Sequence, residues 1–290
     1  MSANRKVTPT SLVQKKRRGE KISLLTAYDY PMARFINQAG VDIILVSDAV
    51  GTVGNGRRGA LSVSVDEMIY HTQAVCNGAG NSMVVTTLPF GSYETIQQAT
   101  ENAVRLIKEG GADAVHMEGT SAQANHVKAI ANAGIPVLGH VGIIKQKIVR
   151  SGAFQIQGRT AESAQQILKD VIAFANARAF GLVLECIPSR LGEIITQSLD
   201  IPTIGIGAGP GCDGQALVTQ DMLGLFKELS PRFLKVYLDL QSVITAALTQ
   251  FREEVEKGQF PGPEHSYEIE EKELGKLLAQ FQLNIAQEIR

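Results

Sequence analysis

The chain has little net charge, few cysteines and no long apolar run. At a formal net charge of −1 it offers nucleic acid and anionic lipid no global attraction, so neither is expected as a partner. The three cysteines, Cys76, Cys186 and Cys212, are odd in number and widely spaced, which argues against a disulfide framework. No run approaches the ~20 apolar residues of a membrane span, and no signal-peptide pattern is present. Together these absences point to a reducing cytoplasm. There is no repeat of fixed period and no low-complexity segment. One basic cluster stands out, Lys15, Lys16, Arg17 and Arg18. It reads as the solvated face of a first helix, started by Pro9, Thr10 and Ser11, or else as a nuclear or organelle address.

What is present is a regular alternation. The 290 residues are 44% hydrophobic and 20% charged, ordinary for a globular protein, and fit one large α/β domain or two smaller ones. Apolar, β-branched runs lie at 22–26, 42–48, 82–88, 114–118, 136–141, 181–187 and 202–207, with a weaker eighth at 216–219. They are apolar throughout rather than alternating, as strands covered on both faces should be. Helical periodicity fills the gaps at 30–39, 65–77, 94–109, 121–133, 161–179 and 189–199. Glycines at 40, 110, 111 and 134 sit where helices should end before the next strand. Repeated βα units without a reversal of strand order predict a (β/α)8 TIM barrel over 1–266. Residues 231–257 read as a long helix, which Gln259-Phe260-Pro261-Gly262-Pro263 breaks. Residues 267–290 read as a C-terminal helical extension. Its face of Leu274, Leu277, Leu278, Phe281 and Ile285 should pack on the barrel or on a sister subunit.

Four of the apolar runs end in residues that could do chemistry: Asp48, Glu118, His140 and Glu185. Parallel β/α barrels build active sites from the C-terminal ends of their strands. Asp48 precedes a loop of small residues and suits a metal ligand, although Asp also caps helices and starts loops. Strand alternation puts His116 and Glu118 on one face, where they could share a metal or a substrate oxygen. His140 lies between Gly139 and Gly142, which suggests close backbone approach near a ligand. Four apolar neighbours would desolvate Glu185, as a general base working near neutrality needs. Cys186 has no adjacent base and reads as a small core residue rather than a nucleophile. The glycine-rich run 204–211 lacks the helix start and distant acid of a dinucleotide fingerprint. A barrel loop giving a ligand access to backbone fits it better.

These residues sit in a longer set of motifs. Thr26-Ala27-Tyr28-Asp29-Tyr30, Ser47-Asp48 with Gly51, Tyr70-His71-Thr72 and Leu88-Pro89-Phe90 come first. Glu118-Gly119, Gly139-His140-Val141-Gly142, Gln157-Gly158-Arg159 and Leu184-Glu185-Cys186-Ile187-Pro188 follow. Asp213-Gly214-Gln215, Pro261-Gly262 and Glu264-His265-Ser266 complete the order. Across 8–266 the chain resembles the ketopantoate hydroxymethyltransferase family. The resemblance implies a barrel, usually a decamer, acting on a 2-oxo acid and a folate. Such enzymes move a one-carbon unit from 5,10-methylenetetrahydrofolate to 3-methyl-2-oxobutanoate, with a divalent metal, usually magnesium. By position, Glu185 would be the base and His140 the active-site histidine. Asp48 would hold the metal directly, with Glu118 as an outer carboxylate. Ala49, His116 and Tyr28 would face the substrate.

Three positions depart from the family pattern. Thr87 stands where the family has a metal-binding Asp, His116 where it has Lys, and Ala49 where it has Ser. Gly51-Thr52 replaces Gly-Met, and the loop 53–62 that follows carries Arg57 and Arg58. The changes cluster on metal and carboxylate binding, while Glu185 and His140 stay, as in a diverged paralogue. Three readings follow: the hydroxymethyltransferase itself, a related carbon–carbon lyase or aldolase, and a catalytically silent barrel. For the metal, either Thr87 leaves a weaker magnesium site, or His116 joins Asp48 and Glu118 in a site for zinc, cobalt or iron.

Overall fold

A computed structural model describes residues 5–144, 155–227 and 231–288, with side chains to 281. The expected barrel is present. Eight parallel strands pair in sequence order, and the last closes on the first. They are β1 (Ile22–Thr26), β2 (Ile43–Val46), β3 (Met83–Thr87), β4 (Ala114–Glu118), β5 (Val137–Gly142), β6 (Gly181–Glu185), β7 (Thr203–Ile206) and β8 (Gly214–Leu217). Alternate residues build two separate cores. Leu24, Ile43, Val85, Leu138, Val183 and Ile204 fill the barrel interior. Ile44, Val84, Val115, Val137, Leu182 and Leu184 pack outward under the helices. Both sets are apolar, which is why the strands show no alternation in sequence.

β8 begins two residues before the expected run at 216. Gly214 is the reason, since a Cβ there would lie 2.4 Å from the Ile22 carbonyl oxygen. The strand is seeded by a close approach that only glycine allows, which strand propensity does not register. Thr219, placed in that strand by sequence, instead starts a short helix, Thr219–Met222.

The basic cluster is not a solvated face as a whole. The first helix, Pro9–Arg17, sets Leu12 into the interior core at the N-terminal ends of the strands. Lys15 then reaches Asp42 at 2.5 Å, and Lys16 reaches Asp213 at 2.7 Å. Lys6 pairs with Asp113 at 2.8 Å. Each of these aspartates also accepts a backbone N–H from a neighbouring strand: Ser23, Thr203 and Val84 respectively. Three Lys–Asp pairs therefore pin the N-terminal segment to the floor of the barrel.

The chain divides into two compact units, Met1–Leu238 and Asp239–Arg290. The expected boundary lay at 266/267. The helix read at 231–257 is shorter, Leu240–Glu256, because Asp239 caps it by accepting the Ser242 N–H. It buries none of its residues, and belongs with the terminal helix Glu271–Glu288 in the second unit. Val243, Ile244, Leu248 and Phe251 are exposed on the first of these helices, and Leu277, Leu278 and Phe281 on the second. The side chain of Ile285 lies outside the described residues.

Candidate active site

The C-terminal ends of β4, β5 and β6 bring three of the four expected residues to one cavity. It holds about 120 Å³ and is lined by Ser47, Ala49, His116, Glu118, His140 and Glu185 above a layer of interior aliphatic residues. Among the described residues no lysine or arginine lines it. Asp48 and Thr87 are buried beside this mouth and do not line it. Tyr28 stands behind it. Its hydroxyl lies 2.9 Å from Ser47 Oγ, and its carbonyl oxygen is 2.8 Å from His71 Nδ1.

Strand register fixes the relations among the polar groups. Thr87 is the register partner of His116, Glu118 of His140, and Gly142 of Glu185. A hydrogen-bonded chain runs across these strands. Thr87 Oγ1 is 3.0 Å from His116 Nδ1, and His116 Nε2 is 3.0 Å from His140 Nδ1. His140 Nε2 is 2.9 Å from Glu185 Oε2 and 3.1 Å from the Ile143 carbonyl oxygen. Ile143 O and an ionised Glu185 only accept, so His140 Nε2 carries its proton. A neutral His140 then accepts at Nδ1 from His116 Nε2–H. His116 in turn accepts at Nδ1 from the Thr87 hydroxyl. One set of neutral tautomers satisfies the three hydrogen bonds, which end on the Ile143 carbonyl with Glu185 Oε2 close beside.

Glu185 is less enclosed than its neighbours in sequence suggest, with 22% of its side chain exposed. It leans over the mouth, where a substrate would complete its desolvation. Its backbone is held tightly. A Cβ on Gly142, whose φ is +117°, would lie 2.2 Å from the Glu185 carbonyl oxygen. Gly139 makes room for Phe174 and Leu182. The glycines around His140 therefore serve close packing of protein on protein, not of a ligand as expected. Cys186 follows Glu185 in a left-handed conformation, φ 52°, which is strained for a non-glycine residue. Burial, with a smaller effect of Glu185, pushes its thiol up to about 12, so it is no nucleophile.

The donor set suits a hard dication better than a soft one. Asp48 and Glu118 are buried oxygen donors at the ends of their strands. Magnesium is commonly held by one or two carboxylates, with substrate and water completing its shell. The zinc or cobalt alternative needed His116 as a ligand. Both of its ring nitrogens are engaged, by Thr87 and His140. Among the described residues no group of three or more His, Cys, Asp or Glu is placed to hold a metal ion. Arg57, a divergent loop residue, is structural. It pairs with Glu67, whose carboxylate also accepts the Ser64 N–H at the start of helix Val65–Gly78.

A larger cavity, of about 800 Å³, opens next to the mouth. Ile156, Arg159, Cys186, Gly207, Arg232 and Phe233 contribute to its lining. The sequence gave a hint of it only at Gln157-Gly158-Arg159 and in the glycine run. Arg232 and Phe233 carried no signal at all, because they lie beyond the last strand without any motif.

Sequence comparison adds a second line of argument. The family described as ketopantoate hydroxymethyltransferase matches residues 6–263. A 3-methyl-2-oxobutanoate hydroxymethyltransferase of Clostridium botulinum (strain Alaska E43 / Type E3) is 48% identical, over 90% of this chain and 96% of its own. One of Moorella thermoacetica (strain ATCC 39073 / JCM 9320) is also 48% identical, over 92% of this chain and 100% of its own. Among solved structures, a phosphoenolpyruvate phosphomutase of Streptomyces platensis subsp. rosaceus superposes with a TM-score of 0.57 at 13% identity, covering 96% of this chain and 99% of its own. A 2,3-dimethylmalate lyase gives 0.56 at 15%, covering 97% and 98%. At such low identity the likeness is one of fold alone.

Proposed function

The chain belongs to the ketopantoate hydroxymethyltransferase family, and from that premise we propose that it moves a one-carbon unit from 5,10-methylenetetrahydrofolate to 3-methyl-2-oxobutanoate, giving 2-dehydropantoate. Its relatives carry that activity in their names, which favours the first of the three readings over a lyase or a silent barrel. One geometric observation carries the chemistry. Glu185 faces the mouth, and its Oε2 lies 2.9 Å from His140 Nε2.

Glu185 removes the proton at C3 of the bound keto acid. His140, with Nε2 beside that carboxylate, fixes its position over the mouth. Thr87 and His116 keep His140 in the donating tautomer. The apolar floor of the mouth limits water around the reacting carbon. C3 then forms a bond to the methylene carbon, that carbon leaves the folate nitrogens, and water supplies the hydroxyl oxygen. Tetrahydrofolate departs. A divalent metal, magnesium by resemblance, would be held by Asp48 with Glu118 behind it. When bound, it would stabilise negative charge on the 2-oxo group. With Thr87 neutral and turned to His116, that site should hold magnesium more weakly than a pair of aspartates would.

A cytoplasmic homo-oligomer, a decamer by resemblance, completes the proposal. The exposed apolar residues of helix Leu240–Glu256 support assembly with further copies. The direct test is to incubate the protein with both substrates and millimolar magnesium, and to look for 2-dehydropantoate. Formation of product supports the proposal. Folded protein that makes none with magnesium, manganese, cobalt or zinc would overturn it.

A further inference from the structure

The mouth cannot hold both reactants. Its volume is about 120 Å³, room for part of a small keto acid, while a folate carries a pteridine, an aminobenzoyl ring and a glutamyl tail. Among the described residues the mouth also offers the glutamyl carboxylates no lysine or arginine. The neighbouring cavity meets each of these needs. Its volume of about 800 Å³ falls in the range of roughly 300–1,000 Å³ typical of small-molecule sites. It adjoins the mouth through consecutive residues. Glu185 and Ile206 line the mouth, and Cys186 and Gly207 line the cavity. A ligand in the cavity thus lies against the strand ends that carry the base.

The chemistry of the lining is that of a site for an aromatic anion. Arg159 and Arg232 both face it, and neither makes an ion pair or hydrogen bond among the described residues. An unpaired guanidinium offers a planar fork that matches a carboxylate. Phe233 packs on Gly207 so closely that a Cβ there would come within 2.7 Å of its ring. With Ile156 it gives the cavity an apolar wall. The segment carrying Arg159 is tied to the base, because Gln157 N–H donates to the Cys186 carbonyl at 2.9 Å.

We infer that this cavity is the binding site of the folate co-substrate, with the aminobenzoyl ring against Phe233 and the glutamyl carboxylates on Arg159 and Arg232. The inference rests on the proposed transfer for the identity of the ligand. Its test does not depend on turnover. Tetrahydrofolate monoglutamate is titrated into the full-length protein by calorimetry, for wild type, Arg159→Ala, Arg232→Ala and the double variant. Arg159→Lys and Arg232→Lys serve as conservative controls. Removing both guanidinia should weaken binding by about tenfold or more. The Lys variants should recover part of the loss, and free p-aminobenzoylglutamate should compete. Proton exchange at C3 of the keto acid, measured without folate, should stay intact in all of them. Equal affinity of wild type and double variant overturns the inference, as does wild type that binds no tetrahydrofolate. Loss of C3 exchange in wild type would instead overturn the proposed reaction, while the calorimetry still decides the cavity.

Discussion

Thr87 Oγ1 lies 3.0 Å from His116 Nδ1, and the two residues are register partners on β3 and β4. Two of the positions read in the sequence as departures from the family pattern are therefore joined in one feature. A hydroxyl can donate to a neutral imidazole, whereas a carboxylate at position 87 could only accept. His116 would then have to donate from Nδ1, and its donation to His140 would require a charged ring. The neutral pair keeps the donor direction that ends at His140 Nε2, beside Glu185.

Thr87→Val keeps the shape and removes the donor. It should destabilise the fold by about 1–3 kcal/mol, the cost of an unsatisfied buried acceptor. Turnover should fall as well. A double-mutant cycle with His116→Phe should show a coupling of roughly 1–2 kcal/mol in denaturant unfolding. Additive losses would mean that the contact carries no energy.

Gly142→Ala should be far more harmful than an alanine substitution at an open glycine such as Gly59, which has free space and no left-handed φ. The new Cβ would strike the Glu185 carbonyl, at a φ that alanine resists. A loss of about 1–3 kcal/mol in stability is expected, together with loss of proton exchange at C3. Thermal melts and the exchange rate check both.

Lys16→Met tests the barrel floor. Lys16 and Asp213 are each mostly buried, so removing the cation strands a carboxylate that also serves Thr203. The expected cost is about 2–3 kcal/mol, below that of a fully buried pair. The same change at Arg17, which has no such partner, should cost little.

Two carboxyls give stability opposite pH dependences. The hydrogen bond from Arg57 holds Glu67 down at about 2, from an ordinary 4.5. Its contribution is present above about 4.5 and is lost as the pH falls toward 2. Burial pushes Asp221 up to about 6, from an ordinary 3.8. Its protonated form suits the fold, so stability declines as the pH rises from about 4 through 6. Glu67→Gln should therefore be destabilising at pH 7, by a margin that shrinks in acid. Asp221→Asn should be stabilising at pH 7 and near neutral below pH 4. Unfolding midpoints across that range check both signs.

The barrel was legible because buried parallel strands must be apolar on both faces. That Glu118, His140 and Glu185 meet at one mouth was legible because each ends an apolar run that forms a strand of the barrel. The link from Thr87 through His116 and His140 to Glu185 was not. It depends on register between strands, and residues 87, 116 and 140 give no hint in sequence of which faces which. His116 looked like a lost lysine or a spare metal ligand until both nitrogens were accounted for. The lysines at 15 and 16 misled for a related reason. Their partners, Asp42 and Asp213, are distant in sequence and meet them only at the closed end of the barrel.

Glu185 as the base is the central claim, and proton–deuterium exchange at C3 of 3-methyl-2-oxobutanoate tests it most directly. The proposed chemistry requires exchange by wild type with magnesium and without folate. In Glu185→Gln the rate should drop by about 10²–10⁴-fold, with the thermal midpoint retained. Exchange by folded Glu185→Gln at the wild-type rate would contradict it.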